Sequence, residues 1–147
     1  MIPFTAGFFA QDFETEEQPT HTYRIDLTAG RIRGEADELE AMRQAVGKIL
    51  LTERFQYDMY SADYGIETLD LYGQPVSYVC PELERRIAEA LLWDGRVQSV
   101  TDFQFETAVG SDAKGLPSGC PQKRVIHAGF TVHTIFGEIR AEKEVKI

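Results

Sequence analysis

The sequence predicts a single domain of the α+β class: an N-terminal β-hairpin, two main helices and a C-terminal antiparallel sheet. Three observations predict it. Apolar residues recur with helical spacing at 39–50 and 83–91, whereas 22–33 and 125–147 read as strands. With 147 residues the chain is the size of one domain and can bury roughly two-thirds of the surface its unfolded form exposes. Its hydrophobic content of 43 %, with nine Phe, six Tyr and one Trp, suits an aromatic-rich core and excludes wholesale disorder.

Residues 1–20 read as an arm. Phe4, Phe8, Phe9 and Phe13 precede or flank an acidic run, Glu14, Glu16 and Glu17, and terminal segments of this kind order on docking. Four Phe need cover, either on the chain's own domain or on a partner. Residues 21–147 form the domain. Tyr23, Ile25 and Leu27 alternate with Thr22, Arg24 and Asp26, and Ala29 and Gly30 supply a turn before Arg31, Ile32 and Arg33, which is a hairpin pattern. Asp37 stands where it can cap a helix, with Glu40 in the capping-box position. The apolar stripe of that helix, Leu39, Met42, Val46, Ile49 and Leu50, belongs in a core, and the helix runs to about Thr52.

Residues 55–73, rich in aromatics and broken by Asp63 and Gly65, suit an irregular connection. Pro81 stands at the first position of a second helix, with Glu82 and Glu84 in the first turn where the dipole favours acids. Leu83, Ile87, Ala90 and Leu91 form its buried stripe, and Asp94 and Gly95 end it. A strand follows over 97–106 with Val97, Phe103 and Phe105 on one face. Residues 108–122 hold three glycines and two prolines without apolar periodicity, which predicts a flexible loop. Strands at 125–136 and 138–147 close the chain. In the last, Ile139, Val145 and Ile147 share one face and Glu138, Arg140, Glu142, Glu144 and Lys146 the other, the pattern of a sheet edge packed on one side only.

Fifteen Lys and Arg stand against 24 Asp and Glu, a net charge of -9 that disfavours nucleic acid and membrane surfaces as partners and favours a basic partner face. No apolar run approaches the roughly 20 residues needed to cross a bilayer. Residues 1–10 lack a basic flank, so no secretory signal is read and synthesis in the host cytoplasm is expected. Cys80 and Cys120 are expected to be free thiols. His127 and His133 lie roughly 20 Å apart along one strand, too far to share an ion, so no metal site is expected. No phosphate loop or nucleophile elbow occurs, and no cofactor or catalytic residue is expected. Glu53 stands out among the acids because it ends the first helix beside Arg54. Two readings apply to this pair: a solvated helix end with an ion pair worth less than about 1 kcal/mol, or a polar contact in an assembly.

Taken in order, five segments resemble a family of contractile-tail baseplate proteins of phages and of phage-like elements in Gram-positive bacteria. They are Thr22-Tyr23-Arg24-Ile25-Asp26, the helix end from Ala45 to Arg54, Tyr64-Gly65-Ile66-Glu67, the run from Pro81 to Ile87, and Phe130 to Ile139. The family is similar in turn to the baseplate wedge protein of lysozyme-like fold that initiates the tail sheath. The resemblance extends from Thr22 to the C-terminus and leaves out the arm and the 108–122 loop. It implies a non-enzymatic sheath initiator in the baseplate of a virion or injection particle. Its partners would be the sheath protein, baseplate wedge proteins, and tail tube or hub proteins. Thr52, Glu53 and Arg54 align with the family's Glu-Pro-Arg signature, associated with packing against wedge subunits, although here the proline is missing and Glu directly precedes Arg. Strand addition to the sheath uses main-chain bonds for affinity and alternate side chains for register. The interaction residues expected are therefore Glu53, Arg54, Glu138, Ile139, Arg140, Glu142, Glu144 and Val145. Two alternatives accompany this reading: a peptidoglycan-cleaving enzyme of lysozyme-like fold, and a small adaptor binding a regulatory protein. The first needs an acid of raised pKa opposite a second carboxylate, and no such pair stands out in the sequence.

Overall fold

Strand β1 (Thr22–Asp26) returns through a turn into the antiparallel strand β2 (Arg31–Ala36). The structure is a computed structural model and describes residues 20–109 and 124–147; the expected arm, except Thr20, and the expected loop, except Ala108 and Val109, lie outside the described residues. The Asp26 carboxylate accepts the Ala29 N–H at 2.9 Å, and Gly30 takes φ +62°, a left-handed conformation that suits a residue without Cβ. Leu27 thus belongs to the turn rather than to the strand. The register slips between Tyr23 and Ile25. At the slip the side-chain amide of Gln44 accepts the Ile25 N–H at 2.9 Å and donates to the Tyr23 carbonyl at 2.8 Å. The hairpin is a two-stranded sheet of its own, tied in this way to the first helix.

Helix α1 (Glu38–Leu51) is capped by Asp37, whose carboxylate accepts the Glu38 N–H and the Thr20 hydroxyl. Glu40 does not complete the expected capping box. Its carboxylate turns instead to Arg24 of β1 at 2.9 Å, because a charged partner across the hairpin outcompetes a backbone N–H. The expected stripe is observed, with Met42, Val46, Ile49 and Leu50 buried and Leu39 packed at the margin. A short 3-10 turn (Leu69–Leu71) interrupts the aromatic connection.

Helix α2 (Val76–Leu92) begins five residues before the expected start, so Pro81 is an interior residue and Glu82 and Glu84 are not in the first turn. The helix tolerates Pro81 because the carbonyl left without a donor, four residues back, belongs to Ser77 in the exposed first turns, where water can bond it. Strand β3 (Val97–Val109) pairs with β4 (Arg124–Thr134), which pairs with β5 (Gly137–Lys146), giving an antiparallel sheet of order β3-β4-β5. Ala108 and Val109, expected in the loop, continue β3 opposite Val125 and Arg124.

The β3 register slips twice, between Val97 and Ser99 and between Thr101 and Gln104, with Asp102 at φ +58°. Each bulge shifts the alternation by one residue, so Val97, Val100, Phe103 and Phe105 all reach the core side, an arrangement that strict alternation forbids. Both helices lie on that side and close the core around Phe130, Ile126, Val132 and Ile139 from the sheet.

Candidate functional site

Strand β5 is an edge of the three-stranded sheet, and among the described residues no strand pairs with its far side. Arg124 and Ile147 exchange both backbone bonds, at 3.2 and 2.8 Å. Because bonded and non-bonded pairs alternate along an antiparallel ladder, residues 139, 141, 143 and 145 turn their N–H and C=O groups toward β4. Residues 138, 140, 142, 144 and 146 turn theirs outward. The register of β4 with β5 is continuous from Val125 opposite Lys146 to Thr134 opposite Gly137, without a slip. The opposite edge, β3, is broken by its two bulges. Bulged edges resist pairing, whereas a regular ten-residue edge offers a template for an added strand.

Glu138, Arg140, Glu142 and Glu144 therefore combine an outward backbone with an exposed side chain. Glu138 lies 3.3 Å from His133 and Glu144 lies 3.9 Å from His127, cross-strand pairs on the solvent face. Ile139 and Val145, 1 % and 4 % exposed, face the core and fix the strand in place. Their side chains are not presented to a partner.

Glu53 and Arg54 sit at a corner where α1 ends. Glu53 is neither a solvated helix end nor an unengaged carboxylate. One oxygen accepts the N–H groups of Thr68 and Leu69 at 2.7 and 3.1 Å and the other the Thr68 hydroxyl at 2.7 Å, capping the 3-10 turn. Arg54 donates from Nε to the Gly65 carbonyl and from a terminal nitrogen to Glu89, both at 3.2 Å. Backbone bonds join the same segments, Ile66 N–H to the Thr52 carbonyl and Arg54 N–H to the Ile66 carbonyl. The approach is close enough that a Cβ on Gly65, at φ +95°, would meet the Thr52 oxygen at 2.6 Å.

The corner continues in a ladder of charges on α2. Arg85 bonds Glu82 and Glu89, while Arg86 bonds Glu82 at 2.8 Å, Asp70 at 2.5 and 2.8 Å and the Glu67 carbonyl at 3.0 Å. The Arg85 and Arg86 guanidiniums hold the Glu82 carboxyl down at about 2, and Arg86 lowers Asp70. The carboxyl groups displaced from their ordinary values among the described residues are Asp37, Asp70, Glu82 and Asp94, and each moves down. These are groups held ionised, the opposite of what a general acid requires. Among the described residues no three His, Cys, Asp or Glu side chains gather as metal ligands. No described helix is long and apolar enough to cross a membrane. Burial pushes the Cys80 thiol up, away from the reactive thiolate.

One residue links the corner to the edge strand. Lys143 donates from Nζ to the Leu50 carbonyl at 2.6 Å, in the last turn of α1; burial lowers its pKa and the nearby charge of Glu53 partly offsets this. The sequence reading missed it. The available signal was a cation at an odd position of β5, on the face otherwise given to Ile139, Ala141 and Val145.

The family model described as contractile injection system sheath initiator matches residues 12–114 of the chain. The chain belongs to the sheath-initiator family. It is also similar to the phage-like element PBSX protein XkdS of Bacillus subtilis strain 168, at 34 % identity over 142 residues, covering 92 % of this chain and 91 % of that protein. The sheath-initiator match begins ten residues before the expected resemblance and includes part of the arm and of the 108–122 segment. It takes in Glu53 and Arg54 and stops before β4 and β5; the Bacillus relative, covering a larger share, extends the likeness beyond residue 114.

Proposed function

We propose that this sheath-initiator family member acts in the baseplate as a non-enzymatic assembly protein that starts the contractile sheath by strand addition to β5. The regular, unpaired outer edge of β5 carries this reading. A strand from a first-ring sheath subunit would take its main-chain bonds from residues 138, 140, 142, 144 and 146. The alternating Glu138, Arg140, Glu142 and Glu144 side chains would set its register. The Glu53–Arg54 corner, stiffened by its bonds within the chain, would present the aromatic connection and the charged face of α2 to wedge proteins. Contacts with tube or hub proteins belong to the same assembly, and the acidic chain favours basic faces on all of them.

The test is growth of cognate sheath on tube-bearing baseplates, followed by electron microscopy and pelleting, with and without the chain. Ordered sheath is expected to grow from the baseplate end only when the chain is present. Glu142→Pro, which removes an outward N–H and places a ring on the edge, should block growth, and Glu142→Gln should support it. Growth with Glu142→Pro equal to that with the natural chain would overturn strand addition at β5.

A further inference from the structure

The described chain starts at Thr20, whose hydroxyl bonds the Asp37 carboxylate at the head of α1. A groove of about 690 Å³ lies between the hairpin and α1, lined along the helix from Glu40 to Leu51. Its walls include Ile25, Leu27 and Leu51, the last two 82 % and 78 % exposed. Arg33, Arg43 and Lys48 also line it, and none of the three forms an ion pair with a described residue. The acids of the groove are already engaged, Glu40 by Arg24 and Asp26 by the Ala29 N–H. Four cations against two acids leave the groove positive beside two exposed leucines, on a chain of net charge -9. An occupant suited to them is acidic and aromatic.

We propose that residues 1–19 of the same chain occupy this groove. That segment carries Asp12, Glu14, Glu16 and Glu17, no Lys or Arg, and Phe4, Phe8, Phe9 and Phe13. Its order fits the order of the groove. The 14 residues of α1 rise about 21 Å, and eight residues of extended chain leading away from Thr20 span about 26 Å. Glu17, Glu16 and Glu14, three to six residues from Thr20, would then lie beside Arg43 and Lys48, and Phe13, seven residues from Thr20, would reach Leu27 and Leu51 near the helix end.

The test uses the full chain. Carbodiimide coupling on an equal mixture of isotopically light and heavy chains is expected to join Lys48 to Glu14, Glu16 or Glu17 within one chain, read as links without light–heavy mixing. Leu27→Ser and Leu51→Ser change exposed side chains and leave the core intact. Each is expected to speed cleavage by glutamyl endopeptidase after Glu14, Glu16 and Glu17 by about tenfold, the equilibrium effect of uncovering one leucine. Links that mix the two isotopes, which place the segment on a second copy, would overturn the proposal. So would the absence of any Lys48 link, or cleavage rates unchanged by both substitutions.

Discussion

At the scale of single residues, Glu53 shows how one side chain organises a segment that has almost no regular structure. Its two oxygens collect three donors at the head of the 3-10 turn, while Arg54 and Gly65 bring the strand-like pieces 52–54 and 65–66 into contact. Glu53→Ala leaves those N–H groups without their acceptor and should cost about 1–2 kcal/mol in urea unfolding. Glu82 acts through protonation. Its folded pKa of about 2 lies below the ordinary 4.5, so the stability its pairs with Arg85 and Arg86 contribute is fully present above pH 4.5 and is lost as pH falls toward 2. Asp70 and Asp94 are lowered for the same reason by Arg86 and Arg96 and add to the same acid limb. Glu82→Gln should flatten the fall in melting temperature over that window and leave the curve near neutrality with the same slope.

At the scale of elements, β5 has two sets of backbone groups with different duties. Ala141 bonds β4 opposite Phe130, whereas Glu142 turns its N–H outward, as the mutual bonds of Arg124 and Ile147 require. Proline separates the two. Ala141→Pro should cost about 3 kcal/mol or more in urea unfolding, because it removes a ladder bond and sets a ring against β4. Glu142→Pro should cost less than about 1 kcal/mol, since edge positions tolerate proline on the solvent side. Equal losses for the two variants would contradict the assignment of inward and outward groups. Deleting β5 is a poorer test, because Ile139 and Val145 are part of the core. In β3 the two bulges serve the opposite end, bringing Val100 and Phe103 to the core while spoiling the other edge for pairing.

At the scale of the whole molecule, the helices and one face of the sheet enclose the core, and the other sheet face is solvated and charged. That asymmetry leaves one regular edge and an acidic surface available to an assembly. With a net charge of -9, baseplate and sheath faces that meet this chain are expected to be basic, and attraction between exposed charges is screened within about 8 Å at physiological salt. The rate of sheath initiation should therefore fall as salt rises from 50 to 500 mM, measured by pelleting at fixed protein concentrations. A rate indifferent to salt would indicate an apolar contact in place of an electrostatic one.

The sequence by itself determined the α+β class, the hairpin, the apolar stripes of both helices and the two faces of β5, because each follows from a period repeated over several residues. It also carried the family resemblance, which rests on the order of short segments. Tertiary structure decided the remainder. Whether Glu40 completes a capping box or pairs with Arg24 depends on a strand that packs alongside, and the early start of α2 depends on solvent at Ser77. The bulges of β3 are set by which side chains the helices need in the core. The capping of Leu69–Leu71 by Glu53, and the reach of Lys143 to Leu50, join residues far apart in the chain. Local periodicity contains no distance between such residues; only packing supplies it.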